Sequence, residues 1–154
     1  MIDELQIVKT EAQTAAVIRL TIARSEIQAV LGPAMREVLS IVTAQGLAPA
    51  GPMFSRHFRM DPKVFDFEVG VPVAKGVKAV GRVKPGKLPA AEVARTVYHG
   101  PYEGLGAAWV EFGARISAQK LSTTNEFWER YLAGPESGPD QRKWRTELGR
   151  PLKR

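Results

Sequence analysis

The 154-residue chain contains no cysteine, which excludes disulfide bonds, thiolate nucleophiles and cysteine-based metal sites. Only two histidines are present, His57 and His99, so we expect no histidine-rich metal site and predict no cofactor. No apolar run reaches the roughly 18 residues that a membrane-spanning helix needs. Residues Met1–Glu4 lack the basic and then apolar profile of a signal peptide. We therefore expect a soluble, cytoplasmic protein without membrane contact.

Positive charge exceeds negative charge but is spread along the chain. The 22 Lys and Arg residues against 16 Asp and Glu residues give a net charge of +6, and a basic protein can attract nucleic acid. The basic residues form only one small cluster, at Arg150, Lys153 and Arg154. The sequence contains no helix-turn-helix pattern or other DNA-reading motif. We interpret the excess charge as a solvated basic surface and predict no direct binding of nucleic acid.

Apolar periodicity predicts eight strands and two helices. The first helix is expected after a capping box at Ser25–Gln28, with an interruption or restart at Gly32-Pro33 and an end at Gly46. The second helix is expected to begin at Gly100-Pro101. The strands are expected at residues 5–9, 15–23, 54–59, 67–73, 77–83, 91–98, 127–132 and 144–152, with an interruption after the fifth at residues 84–87.

The two halves of the chain resemble each other. Leu31-Gly32 matches Leu105-Gly106 at a separation of 74 residues, and Ala15-x-Val17-x-Arg19 matches Ala91-x-Val93-x-Arg95 at 76. Glu68–Pro72 matches Glu147–Pro151 at 79. An internal repeat constrains the fold strongly. We predict one α+β domain, residues 1–154, made of pseudo-symmetric β-α-β-β repeats at about 3–75 and 76–154, with a ligand cleft between the halves.

The predicted strand at residues 127–132 carries a carboxylate between aromatic rings. Side chains alternate along a strand, so Phe127, Glu129 and Tyr131 share one face. An unpaired buried carboxylate is costly, which predicts either a protein partner for Glu129 or a ligand. At an offset of 74 residues, Glu129 matches Ser55 and Tyr131 matches His57. The acid occurs in one half alone, which favours a role in function over a role in the fold.

Several motifs resemble those of GyrI-like small-molecule-binding domains. The likeness covers almost the whole chain, and its motifs occur in order at matching spacing. The matching segments are Gly51–Phe54, Val69–Val73, Tyr98–Gly106, Trp128–Pro135 and Trp144–Leu152. Domains of this family occur at the C-termini of AraC-type and MerR-type multidrug regulators and as free-standing proteins. The resemblance implies an SHS2-type duplication with a ligand cleft, and it is compatible with a homodimer. We expect no DNA-binding domain before the fold begins, so the chain resembles the free-standing members.

The resemblance also implies which residues contact a ligand. In such regulators, aromatic rings and a glutamate in the strand matching residues 127–132 bind cationic aromatic drugs. That glutamate falls on Glu129, and a second acidic position falls on Glu147. His57 stands where many relatives carry tyrosine. The candidate ligand-binding residues are therefore Glu129, Tyr131, Phe127, Trp109, Tyr102, His57, Phe54, Tyr98 and Glu147.

Each candidate also has a purely structural interpretation. Glu129 can form a salt bridge with Arg19 or Arg95 instead of binding a ligand. Tyr131 and Phe127 can pack as a cross-strand aromatic pair, and Trp109 lies on the apolar stripe of the second helix. These alternatives are open on the sequence alone.

Three functions are compatible with these residues. The first is a binding module for small hydrophobic, aromatic and cationic molecules, in which Glu129 supplies charge. The second follows from free-standing relatives that open cyclopropane-containing compounds with water: Glu129 acts as base, and Tyr131 or Tyr102 acts as acid. The third is a protein-binding role such as inhibition of DNA gyrase, which the family name implies.

Overall fold

A computed structural model of the chain describes residues 1–59 and 61–153, with only the backbone of Glu136. It confirms the predicted α+β class. Short 3₁₀ turns at Arg24–Glu26 and Tyr102–Gly104 precede the two helices, and two more lie between the last two strands. The elements are β1 (Gln6–Thr10), β2 (Gln13–Ala23), α1 (Ile27–Ala44), β3 (Phe54–His57), β4 (Val64–Pro72), β5 (Lys84–Leu88), β6 (Ala91–His99), α2 (Leu105–Ala118), β7 (Phe127–Ala133) and β8 (Arg145–Pro151).

The strands form one antiparallel sheet that must curl. Their order is β1-β6-β8-β7-β3-β4-β2-β5, so β1 and β2 stand six places apart, as do β5 and β6. Strands are spaced by about 4.8 Å, which would separate each pair by roughly 29 Å in a flat sheet. Only residues 11–12 and 89–90 connect the pairs, and each link spans about 11 Å at most. The two ends of the sheet are therefore drawn towards each other.

Both helices pack on the same face of the sheet, one over each side of its centre. The buried side of α1 consists of Ala34, Val38 and Val42, and this helix packs over β2 and β4. The buried side of α2 includes Phe112 and Ile116, and its cluster contains residues of β6 and β8. The two middle strands, β3 and β7, lie between the helices in the strand order. We call the helix-side surface of β3 and β7 the central cleft.

The fifth strand differs from the prediction. Residues 77–83 contain an isolated bridge between Val80 and Val83, and the segment predicted as an interruption forms β5 itself. Pro85 is accommodated because β5 is an edge strand bonded only to β2, where a missing N–H is tolerated. Gly86 is required because a Cβ there would lie 2.7 Å from Val17.

The start of α1 also differs from the prediction. No side chain caps the helix, so the predicted capping box is wrong. The helix runs through Pro33 without interruption. Proline removes one hydrogen bond to the carbonyl four residues earlier, and Ala29, which carries that carbonyl, is exposed to water. The predicted end at Gly46 is confirmed by a backbone φ of 73°.

The pairing of β3 with β7 is compatible with the predicted repeat. Ser55 pairs with Glu129, and on either side Phe54 pairs with Arg130 and Arg56 with Trp128. A 74-residue offset maps this register onto itself. Each half contributes the order β-β-α-β-β, one strand more than the predicted β-α-β-β unit. The repeat boundary near residue 75 stays a prediction.

Candidate functional site

Glu129 lies in the middle of β7, on the floor of the central cleft. Its cross-strand neighbours are Ser55 on β3 and Leu148 on β8. The carboxylate accepts two hydrogen bonds, one at Oε2 from the Trp109 indole at 2.7 Å and one at Oε1 from the Tyr131 hydroxyl at 2.7 Å. The contact with Tyr131 agrees with the prediction that the two side chains share a face. Two neutral donors therefore hold the carboxylate without neutralising its charge.

The predicted alternative for Glu129, a salt bridge to Arg19 or Arg95, is wrong. Arg19 binds Asp66 at 2.8 Å, and Arg95 lies 3.7 Å from Glu147. Burial raises the pKa of Glu129 above its ordinary value, although the hydrogen bonds from Trp109 and Tyr131 oppose part of that rise. Burial therefore makes the charged form of this carboxylate less stable than it would be in water.

A chain of hydrogen bonds connects Glu129 to the first half of the protein. The Tyr131 hydroxyl lies 2.9 Å from Ser55 Oγ, which lies 3.3 Å from His57 Nε2. An ionised Glu129 only accepts, so Tyr131 donates to it and has its own oxygen free to accept from Ser55. Burial raises the pKa of Tyr131 well above its usual value, and the nearby Glu129 charge adds to the rise. Tyr131 therefore stays protonated as a donor.

His57 is a neutral ring inside an aromatic stack. Its imidazole lies parallel to Phe127 at 4.3 Å and to Phe67 at 4.9 Å, and Phe65 meets its edge at 5.0 Å. Burial is the main cause that lowers the pKa of His57 from 6.5 to about 3, and the positive charge of Arg24 lowers it further. His57 Nδ1 is buried and has no hydrogen-bond partner among the described residues. The floor beside Glu129 thus carries no second charge from His57 at neutral pH.

Aromatic rings surround the carboxylate on both sides. Trp109 of α2 meets the ring of Phe127 at 5.1 Å. Tyr102, in the 3₁₀ turn before α2, contacts Tyr131 at 5.9 Å and Trp144 at 5.1 Å. Five of the predicted site residues are therefore joined to Glu129 directly or through ring contacts: Tyr131, Phe127, Trp109, Tyr102 and His57.

Tyr98 supports the turn that carries Tyr102. It is buried in the cluster under α2, and its hydroxyl donates to the Pro101 carbonyl at 2.8 Å. A Cβ at Gly104 would overlap the same hydroxyl. This close approach fixes the turn that carries Tyr102. Tyr98 is placed to position another residue of the site.

The remaining two candidates lie on the opposite face of the sheet. Phe54 is fully buried there with Trp128 and Val17. Glu147 accepts a hydrogen bond from Arg130 at 2.9 Å. Since Arg130 and Glu129 are adjacent in β7, their side chains point to opposite faces. The structure therefore does not bring Phe54 or Glu147 together with Glu129.

Sequence reasoning missed three parts of the site. Ser55 was identified only as the repeat mate of Glu129, yet it completes the hydrogen-bond chain. Phe67 flanks His57, and its place on an alternating strand gave no sign of which ring it would face. Trp144 was predicted as the first residue of the last strand, but it lies just before β8, after a 3₁₀ turn, so strand alternation did not indicate its direction.

Two further properties of the described residues concern other kinds of site. Within 1–59 and 61–153, no three His, Asp or Glu side chains are grouped so that they can hold a metal ion. No helix in those ranges is long and apolar enough to cross a membrane.

The model of the GyrI-like small molecule binding domain matches residues 3–153, and the chain belongs to this family. The EcmrR C-terminal domain is 20% identical, with a TM-score of 0.83 over 98% of both chains. In the EcmrR–DNA complex this chain spans 57% of the longer protein. SAV2435 bound to tetraphenylphosphonium is 17% identical, with a TM-score of 0.70 over 98% of this chain and 94% of that one.

A hydrolase from Listeria innocua is 11% identical, with a TM-score of 0.61 over 97% of this chain and 92% of that one. No curated protein sequence matches. At these identities the structural likenesses show a shared fold alone.

Proposed function

We propose that the central cleft binds small apolar aromatic cations and that Glu129 supplies the counter-charge. The proposal depends on one observation, the burial and hydrogen bonding of the Glu129 carboxylate. It is partly buried, held by Trp109 and Tyr131, and paired with neither candidate arginine. Such a group is stabilised by an incoming positive charge more than by any other ligand chemistry.

The rings around Glu129 favour the same class of ligand. A cation over an aromatic face gains roughly 0.5–2 kcal/mol, and the gain is larger where water is excluded. Trp109 and Tyr102 stand on opposite sides of the carboxylate through their contacts with Phe127 and Tyr131. A ligand with several aryl groups would satisfy both sides at once. The ligand named for SAV2435, tetraphenylphosphonium, has this chemistry and supports the proposal.

A second function, hydrolysis of a strained electrophile such as a cyclopropane-containing compound, is favoured by one specific contact. The Tyr131 hydroxyl donates to Glu129 at 2.7 Å, and the raised pKa of Glu129 makes it a stronger base than an ordinary carboxylate. In this reaction Glu129 would take a proton from water as the water oxygen bonds to a ring carbon and a carbon–carbon bond of the strained ring breaks at that carbon. Tyr102, next to Tyr131, would donate a proton to the atom of the opened ring that receives the electron pair. Turnover, measured as product formed per protein molecule, separates this function from binding.

Binding of tetraphenylphosphonium and of neutral triphenylphosphine oxide tests the proposal. The two share phenyl rings on phosphorus but differ in charge. We expect the cation to bind about tenfold or more tightly and to shift the indole N–H signals of Trp109 and Trp144 in nuclear magnetic resonance spectra. The Trp128 signal should not move, because Trp128 lies on the opposite face. Equal affinity for the two compounds would exclude a role for charge, and a shift of Trp128 alone would place the ligand elsewhere.

A further inference from the structure

The face of the sheet opposite the helices contains two neighbouring cavities. Their volumes are about 360 and 320 Å³. Both have Arg95 and Glu147 in their walls, and the second also includes Arg130 and Trp128. Neither is lined by Glu129 or Tyr131. These cavities are therefore separate from the central cleft, on the other side of β7.

Two guanidinium groups converge on one carboxylate at these cavities. Glu147, which is only 7% exposed, accepts from Arg130 at 2.9 Å. Arg95 lies 3.7 Å from the other carboxylate oxygen, too far for a hydrogen bond. Arg130 Nε is buried without a hydrogen-bond partner among the described residues. The group carries one net positive charge and has donors that Glu147 does not satisfy.

The first half of the chain shows the same arginines fully paired. By the predicted offsets, Arg19 corresponds to Arg95 and Arg56 to Arg130. Arg19 forms two hydrogen bonds with Asp66, at 2.8 and 3.1 Å, and Arg56 binds Glu126 at 2.8 Å. Arg19 and Arg56 thus hydrogen-bond two different carboxylates, although Asp66 also lies 3.8 Å from Arg59, whereas Arg95 and Arg130 share Glu147. In the second half, Arg95, Arg130 and Glu147 all line the second cavity.

We infer that the second cavity binds a small organic monocarboxylate, whose carboxylate lies between Arg95 and Arg130 as a second acid beside Glu147. Arginine is suited to this because its planar fork donates two parallel hydrogen bonds to a carboxylate. Leu88, Val93 and Trp128 line the same cavity and would contact the apolar body of the ligand. Exposed Glu11 at the rim disfavours a second negative charge, so a monocarboxylate is preferred to a phosphate dianion.

Benzoate, hexanoate and inorganic phosphate test this site at constant ionic strength. The chain has three tryptophans, and their indole N–H signals distinguish the two faces of the sheet. Benzoate and hexanoate should shift Trp128 in a saturable way and leave Trp109 and Trp144 unmoved, with phosphate binding more weakly. Arg95→Gln should weaken benzoate by about tenfold or more, and Arg95→Lys by less, because a lysine keeps the charge but not the fork. Arg19→Gln is the matched control, since it removes the corresponding arginine from the paired half.

Several results would overturn the inference. One is the absence of any saturable shift of the Trp128 indole signal. Another is equal weakening of benzoate binding by Arg95→Gln and Arg19→Gln. A third is phosphate binding as tightly as benzoate. Shifts of Trp109 and Trp144 by benzoate would place the anion in the central cleft instead. Thermal melting of each variant separates lost binding from lost folding, and Arg95→Lys provides a folded variant if Arg95→Gln unfolds. Because tetraphenylphosphonium is followed through different tryptophans, failure of this site leaves the proposed cation site unaffected, and the reverse also holds.

Discussion

Glu129→Gln is expected to weaken tetraphenylphosphonium binding by about tenfold or more, equivalent to about 1.4 kcal/mol, and to leave triphenylphosphine oxide binding nearly unchanged. Glutamine keeps the size of the side chain and removes the charge that attracts the cation. Its carbonyl can accept from Trp109, and its amide can donate to Tyr131, which can then donate to Ser55. The substitution therefore isolates charge from shape. Calorimetric titration of both ligands measures the effect.

The same substitution is expected to stabilise the fold at about pH 8. Because burial raises the pKa of Glu129, the folded state retains the carboxyl proton to higher pH than the unfolded state. Wild-type stability therefore falls as pH rises from the ordinary carboxyl pKa through the raised one. Glutamine has no charge to bury. The extra stability of the variant over the wild type is therefore fully present above the raised pKa of Glu129 and disappears below about pH 4.5. Opposite effects on binding and stability are typical of a functional residue.

Glu111→Gln is the matched control for this variant. Glu111 is an exposed acid on α2, paired with Arg115, and its loss changes the net charge by the same amount. It should alter neither ligand affinity nor stability by more than a small fraction of the effect at Glu129. Equal weakening of both ligands by Glu129→Gln, or equal effects of the two variants, would contradict a specific counter-charge.

His57→Phe is expected to remove much of the acid sensitivity of the protein. The pKa of His57 falls from 6.5 in the unfolded chain to about 3 in the folded one. Between these values the unfolded state binds more protons, so stability is complete above 6.5 and is lost as pH falls. The loss is about 1.4 kcal/mol per pH unit. Phenylalanine preserves the stack with Phe67 and Phe127 and cannot be protonated.

Denaturant unfolding between about pH 4 and 7 measures this effect. The slope of stability against pH should be shallower in His57→Phe than in the wild type. His99→Gln is the control, because it removes the other histidine, which contacts Asp3 outside the aromatic stack, and it should not reproduce the effect of His57→Phe. Identical slopes in the wild type and His57→Phe would show that His57 is not buried as a neutral ring. Paired carboxylates such as Asp66 affect the pH dependence of stability at lower pH. There the slopes of the wild type and His57→Phe should converge.

The floor of the site was predictable because strand alternation alone places its residues. A period of two put Phe127, Glu129 and Tyr131 on one face, and the repeat offset of 74 identified Ser55 and His57 as the corresponding residues of β3. The structure pairs Ser55 with Glu129 directly. The local pattern thus predicted which side chains of β7 share a face, whereas the repeat gave Ser55 as a counterpart of Glu129 and not as its neighbour.

The face occupied by Phe54 and Glu147 was not predictable in the same way. Alternation assigns residues to faces within one strand, but the relation between strands depends on register. Phe54 pairs with Arg130 and not with Glu129, which places it on the opposite side from the cleft. A shift of one residue in register would reverse this assignment. The family resemblance supplied positions but not the orientation of these two side chains.

Segments without periodicity were also beyond prediction. Trp144 reaches Tyr102 from an irregular loop, where the chain direction depends on turns and not on a repeating pattern. The fifth strand was misplaced because Pro85 and Gly86 indicate a turn in isolation. Their roles as an edge residue and a packing site for Val17 depend on the position of β5 in the sheet.

The most direct test of the central claim is the affinity for tetraphenylphosphonium as a function of pH, compared between the wild type and Glu129→Gln. An ionised Glu129 binds the cation, and a protonated one does not attract it. Affinity of the wild type should therefore rise with pH from about 4.5 until the carboxyl is fully ionised, and then stay constant. Calorimetry should show one proton released on binding within the rising range. A wild-type affinity that does not change with pH, or a rise that Glu129→Gln retains, would contradict the assignment of Glu129 as the counter-charge.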